Sequence, residues 1–434
     1  MRNAACLLVL SLFVVLSTSS AWALDERAIL DEADARIEAH RKADAALRLV
    51  DAGGKALPAG LEVRIEQTRH AFLFGSNIFK LNRCRTPEDE QAYRQRFAEL
   101  LNFATLPFYW WTYTPQRDRP DDARTEAIIA FCKAHGITTK GHPLAWNYVD
   151  PRWLPDDPAE AMRLQMARID RCVRRFAGHI DIWDVVNEAT HYDRPQCIER
   201  SPVLTAAIRE MGVGDYVRQA FQAARRANPD ATLLINDYRT DPAYADTVIK
   251  ELVDADGKPL YDVIGIQSHM HGGYWGAKRT WDVCETFARF GKPLHFTEVT
   301  IVSGPRTDAG WKTAPDGEAR QARQVAEFYT VLFSHPAVEA ITWWDFSDQS
   351  AWQGAPAGFL RDDMSPKPVY DELMKRIKGR WWTRTTVRTG DGGTAGFRGF
   401  LGDYTITVHD GRKTRSGVFT LDKTTTGPVA VRME

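Results

Sequence analysis

From about residue 71 onward, two kinds of stretch alternate along the chain. Short apolar runs rich in β-branched and aromatic residues occur at 71–79, 103–110, 138–146, 180–188, 232–238, 263–270, 294–299 and 340–346. Between them lie longer segments in which apolar residues recur at helical spacing among many charges, such as 88–101, 122–135, 159–176 and 318–334. A short apolar run without alternation fits a strand buried on both faces, and the longer segments fit amphipathic crossover helices. Eight strands alternating with helices predict an α/β protein with a parallel sheet. An even set of eight over about 300 residues fits a closed (β/α)8 TIM barrel better than an open sheet. No glycine-rich phosphate turn follows the first run, which weakens a nucleotide-binding reading.

Polar or aromatic residues close most of these runs: Asn77, Trp146-Asn147, Asn187-Glu188, Asn236-Asp237, Gln267 with His269, Glu298, and Trp344-Asp345. A barrel gathers its C-terminal strand ends on one face, where active sites form. A single polar strand end is ordinarily the start of a loop. Many that converge predict a site.

The flanks read differently. Residues 24–43 predict a charged amphipathic helix, and 47–67 a hairpin turning at Ala52-Gly53-Gly54-Lys55. Residues 383–433 alternate apolar and polar positions around Asp391-Gly392-Gly393, Gly402-Asp403 and Asp410-Gly411, an all-β pattern. Val50 to Lys55, followed by Val63 and Ile65, resembles the first hairpin of carboxypeptidase-regulatory-like β-sandwiches, and Phe397 to Val408 a later part of the same pattern. Two strands are too few to be stable alone. The expectation is therefore a small accessory β-sandwich-like domain built from both ends of the chain (24–70 and 380–434), with the barrel at 71–379 inserted between. Two independent decorations packed on the barrel are the alternative.

Residues 1–23 have the form of a cleavable signal peptide: Arg2, an apolar stretch over 4–16, and the small-x-small sequence Ala21-Trp22-Ala23. The expected mature start is Leu24, and the expected location secreted or periplasmic. The 56 Lys and Arg balance 57 Asp and Glu, which argues against nucleic acid or an anionic membrane as partner. The 14 tryptophans serve either core packing or stacking on sugar rings. Five cysteines follow the leader (Cys84, Cys132, Cys172, Cys197, Cys284) with no Cys-x-x-Cys pair, and their odd number leaves at least one without a partner in the same chain. His269 and His271 share a strand face but lack a third ligand, so neither metal nor cofactor is expected.

Glu188 and Glu298, at the ends of the fourth and seventh runs, would face each other across the barrel mouth. Hydrolysis of a glycosidic bond needs such a pair, one carboxyl protonated to release the leaving group and one ionised to attack the anomeric carbon. The residues around them carry a resemblance. Trp183-Asp184-Val185-Val186-Asn187-Glu188-Ala189 and Phe296-Thr297-Glu298-Val299 resemble the acid/base and nucleophile strands of glycoside hydrolase family 10, the endo-1,4-β-xylanase family. Gly141-His142-Pro143-Leu144-Ala145-Trp146, Asn236-Asp237-Tyr238 and Gly265-Ile266-Gln267-Ser268-His269 are similar to its third, fifth and sixth strands, and Ile341 to Trp344 with Trp352 to its eighth.

The resemblance implies Glu188 as general acid/base and Glu298 as nucleophile of a retaining double displacement. It gives Asn187 to the sugar 2-hydroxyl and sets His269 beside Glu298. His142 and Gln267 would line the same subsite, with Trp344 and Trp352 as stacking platforms. Trp146 and Asn147 close the third run, and Tyr109 and Trp110 the second. All four join the expected substrate-binding set. The family's Glu-Asn pair and Lys after the second strand are absent; Leu106-Pro107-Phe108-Tyr109-Trp110-Trp111 stands there, and Asn147 stands where the family has a second His. The expected function is hydrolysis of a β-1,4-linked plant-wall polysaccharide, xylan foremost. An exo-acting or differently specific β-glycosidase is the first alternative, and a non-catalytic carbohydrate-binding protein the second.

Overall fold

The computed structural model describes residues 25–411, 413–425 and 427–434; the expected leader and the start at Leu24 lie outside them. Eight parallel strands close into a barrel: Leu73–Asn77, Phe103–Pro107, Thr138–His142, Ile182–Asn187, Thr232–Asp237, Val263–Met270, Leu294–Ile301 and Val338–Trp343. The eighth pairs with the first, Ala340 opposite Leu73, which removes every free edge. All eight residues of Leu294–Ile301 are buried, because barrel interior and helix ring cover both faces.

The crossover helices follow from local chemistry. Pro87–Leu100 opens on Thr86, whose hydroxyl accepts from the Asp89 amide, with Pro87 in the first turn. Pro158–Arg175 opens on Asp157 in the same way and closes on Arg174 and Arg175. Each cap satisfies an orphan N–H, and Asp157 with the closing arginines also complements the helix dipole. Val213–Ala227 buries Tyr216, Val217, Ala220, Phe221 and Ala224, one face of a 3.6 period.

The single N-terminal helix expected over 24–43 is two, Glu26–Asp31 and Ala33–Arg41, broken at Glu32. They pack on the barrel flank: Ile29 lies against Ala277 and Val331. The buried Arg41 guanidinium donates to the carbonyls of Phe333, His335 and Val338.

The two ends of the chain together build a β-sandwich. One sheet orders Thr394–Phe400, Lys42–Val50 and Pro428–Arg432; the other orders Arg384–Arg388, Glu62–His70, Gly402–His409 and Thr414–Leu421. The expected hairpin over 47–67 is corrected here. Its turn forms, with the Asp51 amide donating to the Lys55 carbonyl at 2.8 Å. The chain then crosses over through Pro58 and Gly60, so Lys42–Val50 and Glu62–His70 lie in opposite sheets. Leu47 and Leu49 meet Val63 and Ile65 across a shared core with Phe397, Tyr404 and Ile406. Glu62–His70 runs almost directly into the first barrel strand, which seats the sandwich at the N-terminal end of the barrel, opposite the face described next. All five cysteines among the described residues are free thiols. Among those residues no helix is long and apolar enough to cross a membrane.

Candidate active site

At the C-terminal strand ends lies a cleft of about 830 Å³ whose lining includes Glu188, Glu298, Asn187, Gln267, His142, His269, Tyr109, Trp146, Trp344 and Trp352. Most of the residues singled out from sequence therefore meet in one place. Two do not. Trp110 is buried against Leu154, Ala161 and Leu204, edge-on to Trp153 at 5.7 Å. Asn147 is buried outside the cleft, its amide donating to the Tyr192 carbonyl (2.6 Å) and the Thr205 hydroxyl (2.9 Å). Asn147 ties down the loop after the fourth strand, and Trp110 is core.

Local irregularities aim the carboxylates. Along the seventh strand, Ile266 opposes Phe296 but Gln267 opposes Glu298, a bulge at Thr297. The side chains of consecutive residues then reach one partner, Thr297 Oγ1 and Glu298 Oε1 both bonding the Asn236 amide at 2.5 and 2.9 Å. Strict alternation forbids that, and bulges re-aim side chains in this way. The fourth strand carries a similar shift between Asp184 and Val186, and Glu188 just beyond it holds a left-handed backbone, φ 56° and ψ 44°. A non-glycine residue there costs of order 1 kcal/mol and persists only where surroundings over-determine it. The Glu188 amide donating to the Asn236 carbonyl at 2.9 Å is one such restraint.

A chain of amides joins the two acids. Gln267 Nε2 donates to Glu188 Oε1 (3.3 Å) and to Asn187 Oδ1 (3.1 Å), while Asn236 Nδ2 donates to Asn187 Oδ1 (2.7 Å) and Glu298 Oε1 (2.9 Å). On its other side Glu298 meets His269 Nε2 at 3.1 Å, and His269 Nδ1 bonds Thr300 Oγ1 at 2.9 Å. His142 Nε2 stands 3.8 Å from Glu298 Oε1, its Nδ1 held 2.7 Å from Asp184, which also binds Lys140 at 2.6 Å.

These surroundings divide the pair. Burial pushes the Glu188 carboxyl up; Arg194 draws it down and Glu298 raises it again, and the net result lies above the usual carboxylate range. Burial also pushes Glu298 up, but His142, His269 and Lys140 outweigh it and hold its carboxyl below that range. One acid is biased towards its protonated form and the other towards its ionised form.

Sequence reasoning missed Arg194, whose Nη1 lies 2.5 Å from Glu188 Oε2. No periodicity marks a residue in an irregular loop. Lys140 was findable, since it stands two positions before His142 on the same strand; Asp184 was not, because the shift between Asp184 and Val186 breaks the alternation that would link it to Glu188. The aromatic wall comprises Tyr109, 5.1 Å from Trp111 and 5.9 Å from Trp146 between ring centres, with Trp146 stacked on Tyr148 at 4.4 Å. Trp352, 44% exposed, covers His269 at 4.7 Å.

The two adjacent tryptophans make a test of this placement. Trp110→Ala should cost about 3–5 kcal/mol of stability as a core truncation and leave KM alone, whereas Trp111→Ala should raise KM severalfold with little change in Tm. Thermal unfolding and steady-state kinetics on both variants decide it. A Trp110 variant with native Tm and raised KM would refute the assignment.

The profile of Glycosyl hydrolase family 10 matches residues 76–376. Anti-sigma-I factor RsgI6 of Acetivibrio thermocellus is 26% identical over 404 residues, covering 91% of this chain, which in turn spans 48%, about half, of that relative's length. Endo-1,4-beta-xylanase B of Paenibacillus barcinonensis is 32% identical over 244 residues, 52% of this chain and 71% of the xylanase. The crystal structure of xylanase 10B from Thermotoga petrophila RKU-1 in complex with xylobiose matches at TM-score 0.59 and 25% identity, covering 71% of this chain and 95% of that one. The family match runs from the first barrel strand to beyond the eighth and takes in both carboxylate strands, so the chain belongs to Glycosyl hydrolase family 10.

Proposed function

We propose that the protein is an exported, retaining β-1,4-glycanase that cleaves xylan internally. The observation that carries this reading is the pair of buried acids at the ends of the fourth and seventh strands with opposite protonation biases, one amide network joining them. Glu188 gives its proton to the glycosidic oxygen as that bond breaks, while Glu298 attacks the anomeric carbon and forms a glycosyl ester. Glu188, now ionised, takes a proton from water, which displaces Glu298 and restores both groups. Asn187 meets the 2-hydroxyl, a contact that strengthens as positive charge develops at the sugar. His269 holds Glu298 in its ionised form and in one orientation. Trp344, Trp352 and Tyr109 stack on sugar faces. The xylanase relative and the xylobiose-bound neighbour support xylose as the backbone sugar.

An exo-acting enzyme is the second reading, favoured by the aromatic wall of Tyr109 and Trp111 in the segment where the family's polar Glu-Asn pair and Lys are absent. Digestion of linear xylan followed by chromatography and NMR separates the two. Mixed short oligomers whose new reducing ends are first β are expected. Release of one unit at a time would replace the endo reading, and initial α-anomers would overturn retention.

A further inference from the structure

Four cationic side chains line the cleft: Lys80, Arg83, Arg194 and Arg279. Arg194 is paired with Glu188, and Arg279 lies over the Trp275 ring at 4.5 Å. Lys80 and Arg83 have no acidic partner among the described residues, although acids are near. Glu90 is engaged by Arg94 and by the Asn82 and Cys84 amides, Asp89 by Gln349 and Arg85, and Asp345 by Asn77 and the Trp352 amide.

The turn that carries the two cations is fixed. Between them Leu81 is fully buried. Asn82 takes a left-handed φ of 64°, and the Arg83 amide donates to the Lys80 carbonyl at 2.8 Å. From below, Arg124 Nη2 donates to the Phe79 carbonyl at 2.7 Å. Burial, and then the nearby Arg83, hold the Arg124 guanidinium below its usual value. A fixed turn thus sets like charges together at a cleft wall and leaves two of them unneutralised. A chain of neutral sugars offers nothing to offset that charge.

Resting on the β-xylanase reading above, we infer that Lys80 and Arg83 form a subsite for a carboxylate borne by the substrate, a uronic acid branch on the xylan backbone. Cation and carboxylate attract across the open cleft wall, and salt screens that attraction.

The test compares glucuronoxylan with the same polymer after chemical reduction of its uronate carboxyls, which keeps the branch and removes the charge. For the native protein, kcat/KM should be roughly three- to tenfold higher on the charged polymer at low salt, the range of an exposed ion pair strengthened by a second cation. The ratio should fall towards one in about 0.5 M salt, where the Debye length is only a few ångströms, and in the Lys80→Gln/Arg83→Gln double variant. Arg83→Lys, which keeps the charge, should retain a preference. A ratio of one for the native protein overturns the uronate subsite and leaves the xylanase reading standing, while hydrolysis of neither polymer overturns the reading beneath it. A preference that persists in the double variant overturns the assignment to these residues.

Discussion

Replacing Glu298 with alanine is expected to lower kcat on an aryl β-xyloside by about 10⁵-fold, the order seen when a nucleophile is deleted from a covalent mechanism. Glu298 is 5% exposed and is held by Asn236, His269 and His142. The truncation leaves those donors facing a void where an anion stood, so no neighbouring group takes over the attack. Asp345 lines the same cleft, but Asn77 and the Trp352 amide bind its carboxyl and burial pushes its pKa up. Glu298→Gln keeps the size and one acceptor and should be nearly as inactive, since charge rather than shape is lost. Steady-state kinetics measures the loss, and mass spectrometry after reaction with a 2-fluoro-xyloside should find the native label on the peptide containing Glu298. A label elsewhere, or more than a tenth of native turnover in Glu298→Ala, would end the nucleophile assignment.

The barrel was legible because a strand buried on both faces and an amphipathic helix have different periods, and each expected strand overlaps an observed one. The convergence of polar strand ends on one cleft was legible for a related reason: a polar side chain ending an apolar run has nowhere to go but the barrel mouth. The second strand shows where that logic stops. It ends at Pro107, and Trp110–Tyr113 is a helical turn. The period changes from 2 to 3.6 there, so Trp110 and Tyr113 turn into the core while Tyr109 and Trp111 line the wall. Asn147 fails likewise, because the third strand ends at His142 and a strand-end argument no longer applies. The hairpin over 47–67 fails for a different reason. Alternation reports which face is buried, and two strands facing one core look the same whether they pair or oppose each other. Arg194 and the Lys80–Arg83 turn carry no periodic signal and emerge only once loops from separate strands are brought together.

The second large effect is expected at Glu188, and its form tells acid/base catalysis from simple damage to the site. Glu188→Ala should slow xylan hydrolysis by roughly 10²–10⁴-fold, the usual worth of a positioned acid or base. The loss should be much smaller for formation of the glycosyl-enzyme from an aryl xyloside whose phenol leaves without protonation. Turnover then stalls at hydrolysis of the intermediate, and azide, which needs no general base, should restore it and yield the β-glycosyl azide. The α-azide, or equal losses on good and poor leaving groups, would exclude the role. The pH profile supplies the sign. Glu298, held below the usual carboxylate range, is ionised at all but the lowest pH, so kcat/KM falls only when acid protonates it. Glu188, held above that range, keeps its proton to higher pH, and activity falls on the alkaline side as that proton is lost. The charged groups bearing on Glu188 are Arg194, which lowers its pKa, and Glu298 and Asp237, which raise it. Arg194→Gln removes the cation that stabilises the ionised form, so the alkaline limb should move further up while the acid limb stays in place. An alkaline limb of kcat/KM that moves down, or does not move, would mean that Arg194 does not tune the acid through the 2.5 Å ion pair.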